Sequence, residues 1–461
     1  MTSEPLFSVR GKRVTVAGAA RSGVAAAQLL ARRGAIVTLS DVRDAIDDQE
    51  RVRAAGVELE LGGHREATFT GADLIVMSPG VPTRQGVIEA ARREGVPVIG
   101  ELELASRWLR GRVVAITGTK GKSTTTTLAG RMLEAGGHRV LVGGNIGLAL
   151  SAQVDESTED TIHVVEASSF QLEATDSFRP WIAVLLNFSS DHLDRHASVE
   201  EYAAAKTRIF ANQAEDDWAV INADDPAAVA MAAGTAAKRL LFSMVGSLPE
   251  GVVIEGDAIV RRMSDGDQPL VPLSSIRLLG RHLLADVLAA SAVASLAGVE
   301  PAAMTRAVSL FRGLEHVLEP AGDIAGVPFV NDSKATNIEA ALRAIESCGD
   351  GVVVILGGRF KGGDFRDLIE PLVSRHATVV AIGEARPLIR DALGAHVQIH
   401  EAADMSSAVR TAFASAAPGR TVVLAPACAS FDMFLDYAER GRIFKQEVSR
   451  LREEWNDSRE Q

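Results

Sequence analysis

The sequence predicts an α/β protein of three domains, each built on a largely parallel sheet, and three observations carry that prediction. Short β-branched runs alternate with Ala-, Leu- and Arg-rich stretches along nearly the whole chain, as when each strand returns through a helix. The runs fall into three groups, with boundaries near residues 100 and 312. Aliphatic residues are plentiful in a chain that is 47% hydrophobic and only 5% aromatic, a composition suited to packed α/β layers.

In the first group, residues 1–100, Arg13-Val-Thr-Val-Ala-Gly18 reads as a strand entering a turn, followed by an Ala-rich helix to about Arg33. Ile36-Val-Thr-Leu-Ser40 is a second strand and ends at Asp41. Asp73-Leu-Ile-Val-Met-Ser78 runs into Pro79-Gly80, and Val96-Pro-Val-Ile99 closes the group. Strand, glycine turn, helix and an acidic end to the second strand make a Rossmann-like unit. In the turn Gly18-Ala-Ala-Arg-Ser-Gly23, Ala20 replaces the middle glycine of the dinucleotide fingerprint. That glycine lets the backbone approach a pyrophosphate. The turn therefore argues against a nicotinamide dinucleotide, and for a phosphorylated ligand held by the helix start and Ser22.

The second group, residues 101–312, opens on Val113-Val-Ala-Ile-Thr-Gly-Thr-Lys-Gly-Lys-Ser-Thr124: strand, phosphate-cradling loop, helix. Gly118 and Gly121 permit the sharp turn, and the helix start adds its positive dipole end. Lys122 supplies a charge for the β/γ-phosphates and Ser123 a hydroxyl for Mg²⁺. Only two residues separate the glycines, so this is a compressed P-loop. Thr161-Ile-His-Val-Val-Glu166, Pro180-Trp-Ile-Ala-Val-Leu-Leu-Asn187 and Asp217-Trp-Ala-Val-Ile-Asn222 continue the sheet. The third group, residues 313–461, holds a short run at Phe329, then Gly351–Gly357, Ala377–Gly383 and Arg420–Ala425, and reads as a Rossmann-like C-terminal domain.

Ligands of open parallel sheets bind beyond the carboxyl ends of strands. Glu166 at such an end fits a cation, or else a helix cap. Asn187 ends the next run, and Asp191-His-Leu-Asp-Arg-His196 follows. Either histidine alone reads as structural; two histidines with two carboxylates after a strand of a P-loop domain read as functional. Mg²⁺ prefers oxygen, so His192 as a ligand needs a special reason. Asp332, Ser333, Lys334, Thr336 and Asn337 cluster before a helix at Ile338–Ile345, as a site or as an N-cap through Thr336 or Asn337. The turn Gly357–Gly363 carries Lys361, and another turn runs from Ala425 through Ser430. Cys428 has no histidine nearby in sequence to make it a nucleophile.

Composition narrows the class. A net charge of −12 argues against general nucleic-acid binding. No segment approaches eighteen uncharged apolar residues, so no membrane span is expected. The N-terminus lacks the pattern of a secretory signal. Two cysteines without metal spacing fit a reduced, cytoplasmic setting. The charge-mixed segment Arg450–Gln461 reads as a solvated helix end. A monomer is expected.

Seven motifs, in order, resemble those of the Mur ligases of peptidoglycan synthesis: Ser78-Pro-Gly-Val81, Gly118–Thr124, Gly143-Gly-Asn-Ile-Gly147, Glu166-Ala-Ser-Ser-Phe-Gln-Leu-Glu173, Asp191-His-Leu-Asp-Arg195, Asn331-Asp-Ser-Lys-Ala-Thr-Asn337 and Pro426-Ala-Cys-Ala-Ser-Phe-Asp432. The resemblance covers essentially the whole chain. The last two motifs point to the branch that adds D-glutamate to UDP-N-acetylmuramoyl-L-alanine. The resemblance implies ATP-driven amide formation through an acyl phosphate and a tetrahedral intermediate. It implies nucleotide binding by Gly118, Thr119, Lys120, Gly121, Lys122, Ser123, Thr124, Asp286, Asp332 and Lys334. It assigns one Mg²⁺ to Ser123 and a second to Glu166 and His192 with a carbamylated Lys206. Without the resemblance, Lys206 in Tyr202-Ala-Ala-Ala-Lys-Thr-Arg208 reads as a helix-surface lysine. Lys122, His192, Lys206 and Lys334 are the implied catalytic residues. Ser22, Asp41, Arg43 and Gly80 are implied for the UDP group, Asn145 for the muramoyl part or the metal shell, and Thr336, Lys361, Ser430 and Phe431 for D-glutamate.

Some positions depart from the family pattern. Val42 stands where a threonine often helps hold uracil. Gly280-Arg-His-Leu-Leu-Ala-Asp286 has Leu283 and Asp286 in place of two asparagines, the second an adenine contact. Val317 replaces an arginine near the ATP phosphates. These departures motivate two alternatives: a nucleotide-responsive binding or regulatory protein on the same fold, and a ligase of altered amino-acid specificity. A nicotinamide-dependent oxidoreductase built on the first group is a third, opposed by the missing glycine.

Overall fold

The computed structural model describes residues 7–47, 49–189, 195–264, 266–278 and 282–460. It divides into two compact units: Met1–Ile276 with Ala285–Leu310, and Arg277–Leu284 with Phe311–Gln461. The first unit holds two sheets and the second holds one, matching the three groups of strands in the sequence.

The first sheet has five parallel strands, in spatial order Val57–Glu60, Ile36–Ser40, Arg13–Ala17, Leu74–Met77 and Val98–Gly100. Parallel strands are covered on both faces, so neighbouring residues must both be apolar. Val14, Val16, Leu39 and Val76 bury against Leu30, while Ala17, Ile75 and Met77 bury on the other side against Phe69 and Ile88. Strand order reverses between Arg13–Ala17 and Leu74–Met77, which opens a crevice there. The turn at Gly18 and the loop after Met77 border that crevice. A Cβ on Gly18 would lie 2.6 Å from Cγ2 of Val81, so only glycine lets the two loops approach.

The second sheet has nine strands. Arg112–Thr117, which leads into the P-loop, lies between Ile182–Leu185 and Thr161–Glu166, all parallel. Arg139–Gly144 forms one edge; Trp218–Asn222 and Lys238–Ser243 extend the other way. Gly251–Glu255, Ala258–Arg262 and Gln268–Pro272 then complete the sheet, the last two pairings antiparallel. These three were not read from the sequence. The outermost carries Pro269 and Pro272, which an edge strand tolerates because its outer N–H groups pair with nothing.

The sheet of the second unit runs Glu319–Ile324, Val327–Asn331, Val422–Leu424, Val353–Gly357, Thr378–Ile382 and Gln398–Glu401, parallel except for the first pair. The last strand in sequence thus lies in the middle, beside Val327–Asn331 and Val353–Gly357. Three polar loops, after Asn331, Gly357 and Leu424, leave neighbouring strands at one end. The segment after Arg450 is the end of one long helix, Tyr437–Glu460, with Arg452, Glu453 and Glu454 exposed. Among the described residues no helix is long and apolar enough to cross a membrane.

Candidate active site

The P-loop hangs from a strand buried along Val113–Thr117. Gly121 takes φ +83° and caps the helix Lys122–Ala135 without a side chain. The start of that helix, with its positive dipole end, lies at the loop, where such an end favours an anion. Asn187 braces the loop from the neighbouring strand end. Its Oδ1 accepts from the amides of Thr119 and Lys120 at 3.1 and 2.9 Å, and its Nδ2 donates to the Lys120 carbonyl at 3.1 Å. The Lys122 ammonium folds back onto the carbonyls of Gly118 and Thr119, at 3.0 and 2.9 Å.

Glu166 is 2% exposed and does not cap a helix, because Ser168 caps the helix Ser169–Leu172 in a capping box with Gln171. Its oxygens instead accept from Ser123 Oγ at 2.7 Å and from Asn145 Nδ2 at 2.8 Å. Hydroxyl and carboxylate oxygens meet beside the P-loop, with the Asn145 amide nitrogen donating to the carboxylate, and such oxygen donors fit a hard cation such as Mg²⁺. Among the described residues no group of three or more His, Cys, Asp or Glu side chains is placed to hold a metal. His192 and Asp191 lie outside the described residues.

Lys206 is not a surface lysine. It is 1% exposed, its Nζ donates to the Gly118 carbonyl at 2.7 Å, and it lies 4.7 Å from the centroid of the Tyr202 ring. The helix Val199–Thr207 turns Tyr202, Ala205 and Lys206 inward. Three alanines before the lysine give no apolar stripe to announce this. Tyr202 also comes within 3.3 Å of Thr119 Oγ1, so this helix touches the loop twice. Asp286 stands on its other side: Oδ1 accepts from Thr125 Oγ1 at 3.1 Å and lies 2.1 Å from the position of a Cβ on Gly121.

In the first sheet, Ser22, Asp41, Arg43 and Gly80 gather at the carboxyl ends of the strands. Asp41 is fully engaged. Oδ2 accepts the Ala19 amide at 2.6 Å, and Arg43 bridges both oxygens at 2.9 and 3.0 Å. Burial pushes its carboxyl up, but these bonds outweigh it and hold the pKa at about 2. Val42 points outward, 63% exposed.

In the second unit, Asp332, Lys334 and Thr336 follow one strand, Lys361 the next, and Ser430 and Phe431 the third. Asn337, not Thr336, caps the helix Ile338–Glu346. Lys334, Lys361 and Phe431 are exposed; Asp332 and Ser430 are buried. Burial raises Asp332 to about 7, against a Leu318 amide bond and the Lys334 charge. The sequence reading missed Arg440, which is wholly buried. It donates to Ser333 Oγ at 2.9 Å, the Ser333 carbonyl at 2.8 Å and the Cys428 carbonyl at 3.1 Å, tying two of the polar loops together. Only its position ten residues beyond Ser430 could have hinted at this. Both cysteines are free, and burial pushes the Cys428 thiol to about 12, out of nucleophilic range. Leu283 packs in the apolar core of this unit with Leu318, Val330 and Ala335, and Val317 sits in a turn closed on the Leu314 carbonyl.

Three family models match the chain: Mur ligase MurD-like N-terminal domain over residues 12–100, Mur ligase middle domain over 116–294, and Mur ligase glutamate ligase domain over 318–428. The UDP-N-acetylmuramoylalanine–D-glutamate ligase of Acidobacterium capsulatum is 47% identical over 447 residues, 96% of this chain and 97% of that protein. The protein of the same name from Koribacter versatilis is 44% identical, covering 97% and 99%. Among solved structures, the UDP-N-acetylmuramate-alanine ligase of Thermotoga maritima superposes with TM-score 0.59 at 17% identity, covering 95% of this chain and 99% of that one. A pseudomurein peptide ligase of Methanothermus fervidus does so with TM-score 0.58 at 17% identity, covering 96% and 100%. At such identities the superpositions speak for the fold alone.

Proposed function

This chain belongs to the Mur ligase family, and on that premise we propose that it is an ATP-dependent amide ligase joining D-glutamate to UDP-N-acetylmuramoyl-L-alanine in peptidoglycan precursor synthesis. The observation that carries the reading is likeness to D-glutamate ligases along nearly the full chain, with the P-loop and Glu166 assembled as one site.

A carboxylate is a poor electrophile. In the proposed reaction the carboxylate of the UDP-linked substrate attacks the γ-phosphorus of ATP, and ADP departs. The amine of D-glutamate attacks the resulting acyl phosphate at its carbonyl carbon. The tetrahedral intermediate expels inorganic phosphate, and the nitrogen loses its proton. Two anions must meet in the first step, so cationic and dipolar groups do the work. Lys122 leaves the loop carbonyls and turns to the phosphates, alongside the amides at the start of Lys122–Ala135. Gly118, Thr119, Lys120, Gly121 and Thr124 shape that cradle, and Asp286 supports it from behind.

Mg²⁺, when bound, would neutralise phosphate charge and polarise the transferring group. Ser123 would hold one ion. Glu166 and His192 would hold a second, with Lys206 if carbamylated; a carbamate replaces a repelling ammonium with an oxygen donor. The first domain, residues 1–100, would take the UDP group through Ser22, Asp41, Arg43 and Gly80. The middle domain, 101–312, would carry phosphoryl transfer, with Asn145 near the muramoyl group. The last, 313–461, would use Asp332 and Lys334 for the nucleotide, and Thr336, Lys361, Ser430 and Phe431 for D-glutamate. A cytoplasmic monomer is the proposed state.

Phosphate release with the full chain tests the reading. Turnover should require ATP, UDP-N-acetylmuramoyl-L-alanine and D-glutamate together. Equal turnover with L-lysine or diaminopimelate would refute the amino-acid assignment, and ATP binding without any ligated product would favour a regulatory protein.

A further inference from the structure

Arg195 has no part in the chemistry above, yet it touches segments that do. Its Nη1 donates to the Gly80 carbonyl at 3.0 Å and its Nη2 to the Val81 carbonyl at 2.6 Å. Its guanidinium carbon lies 4.4 Å from the centroid of the Phe170 ring. One side of this residue therefore grips the loop at the crevice of the first sheet, and the other rests on the segment that follows Glu166.

Each attachment leads to a binding loop. Val81 packs over Gly18, so fixing the Gly80–Val81 carbonyls also fixes the glycine turn beneath them. Phe170 lies four residues past Glu166, in the helix Ser169–Leu172. Its ring stacks with His196 at 5.3 Å and 23°, and His196 Nε2 lies 3.0 Å from Ser169 Oγ. A second tie from the same loop, Arg84 to Glu201 at 2.8 Å, runs instead to the helix Val199–Thr207, and with Arg84 largely exposed solvent screens it. The Arg195 contacts are directional. A planar fork with two parallel donors matches two successive carbonyls, and an aromatic seat holds its plane; lysine offers neither.

We propose that Arg195 is a positioning residue that couples seating of the UDP-linked substrate in the first sheet's crevice to cation binding at the Glu166 strand end. Substrate that orders Gly80–Val81 also sets the guanidinium, which sets Phe170 and the backbone leading from Glu166. By linkage the cation must favour substrate as much as substrate favours the cation. The inference rests on the function proposed above.

Calorimetric titration of UDP-N-acetylmuramoyl-L-alanine into the full chain, with and without Mg²⁺, measures the coupling directly. In the wild type, Mg²⁺ should tighten binding about fivefold or more. In Arg195→Lys that ratio should fall to about one, with an unchanged Tm and an unchanged KM for D-glutamate in the phosphate-release assay. Phe170→Leu, which removes the aromatic seat and leaves the charge, should lower the ratio as well, and it decides the matter if Arg195→Lys does not fold. An identical ratio in wild type and variants overturns the proposal, as does a wild type in which Mg²⁺ has no effect. A wild type that does not bind the UDP-linked substrate at all refutes the proposed function itself.

Discussion

Lys122 and Lys206 both point ammonium groups at the Gly118 carbonyl, and their proposed roles differ. Lys122 stands at the helix start, where a phosphate would draw it away from the carbonyls. Lys122→Ala should cut kcat by about two to three orders of magnitude, while calorimetry shows unchanged affinity for UDP-N-acetylmuramoyl-L-alanine. Near-normal turnover would remove Lys122 from the phosphate site. Lys206 is buried beneath the loop, and its proposed work is as a carbamate. Lys206→Ala should be nearly inactive, and short-chain carboxylates such as acetate should restore part of the rate by filling the vacated ligand position. Full activity without additive would exclude the role. The two lysines also differ in how far the sequence exposes them. Lys122 is legible from strand, glycines and helix in order. Lys206 follows three alanines on a short helix, and only family resemblance singled it out. Burial of a charged group by a neighbouring loop leaves no periodic trace.

The P-loop works as an element because its neighbours hold it. Asn187 clamps Thr119 and Lys120, Tyr202 reaches Thr119, and Asp286 presses against Gly121. The sequence marked Asn187 as the end of an apolar run but gave no sign that its amide braces a loop nearly seventy residues away. Such side chain-to-backbone contacts depend on strand order, and strand order is not written in local pattern. Central parallel strands such as Arg112–Thr117 and Val353–Gly357 were legible because each carries a run of buried apolar residues. Val57–Glu60, Lys238–Ser243 and Gln398–Glu401, parallel but interrupted by polar residues, were not, and neither were Ala258–Arg262 and Gln268–Pro272. Gly121 gives this element its sharpest test. An alanine there must adopt φ +83° and place its Cβ 2.1 Å from Asp286 Oδ1. Left-handed strain and the overlap together should cost on the order of 2–4 kcal/mol. Gly121→Ala should therefore lower the midpoint in urea and abolish ATP binding by equilibrium dialysis. Pairing it with Asp286→Ala should recover stability in part, because the overlap goes and the strain stays. Equal stability of Gly121→Ala and wild type would contradict the geometry.

Across the molecule, two buried titrating groups act on stability with opposite sign, one in each compact unit. His163 lies in the strand Thr161–Glu166 with no exposed surface, against Ser157 Oγ at 2.8 Å and Gln153 Oε1 at 3.4 Å. Burial lowers its pKa from 6.5 to about 4. The unfolded chain therefore takes up this proton first, and stability present above pH 6.5 is lost as pH falls towards 4. Asp332, in the second unit, is raised by burial from 3.8 to about 7. Here the folded state holds the proton, so stability is fully present below pH 3.8 and is lost as pH rises through 7. Each group contributes on the order of a few kcal/mol, and between pH 4 and 6.5 the two trends oppose each other. Neither trend could be read from the sequence, where His163 is one residue in an apolar run and Asp332 one of a polar cluster; the shifts come from burial that only the assembled sheets create. Thermal melts of the full chain from pH 4 to 7.5 should separate them. Removing the titration in His163→Gln should make the Tm difference, variant minus wild type, rise as pH falls below 6.5. Removing it in Asp332→Asn should make the same difference fall over that range. Parallel pH profiles for wild type and both variants would show that neither group titrates away from its ordinary range.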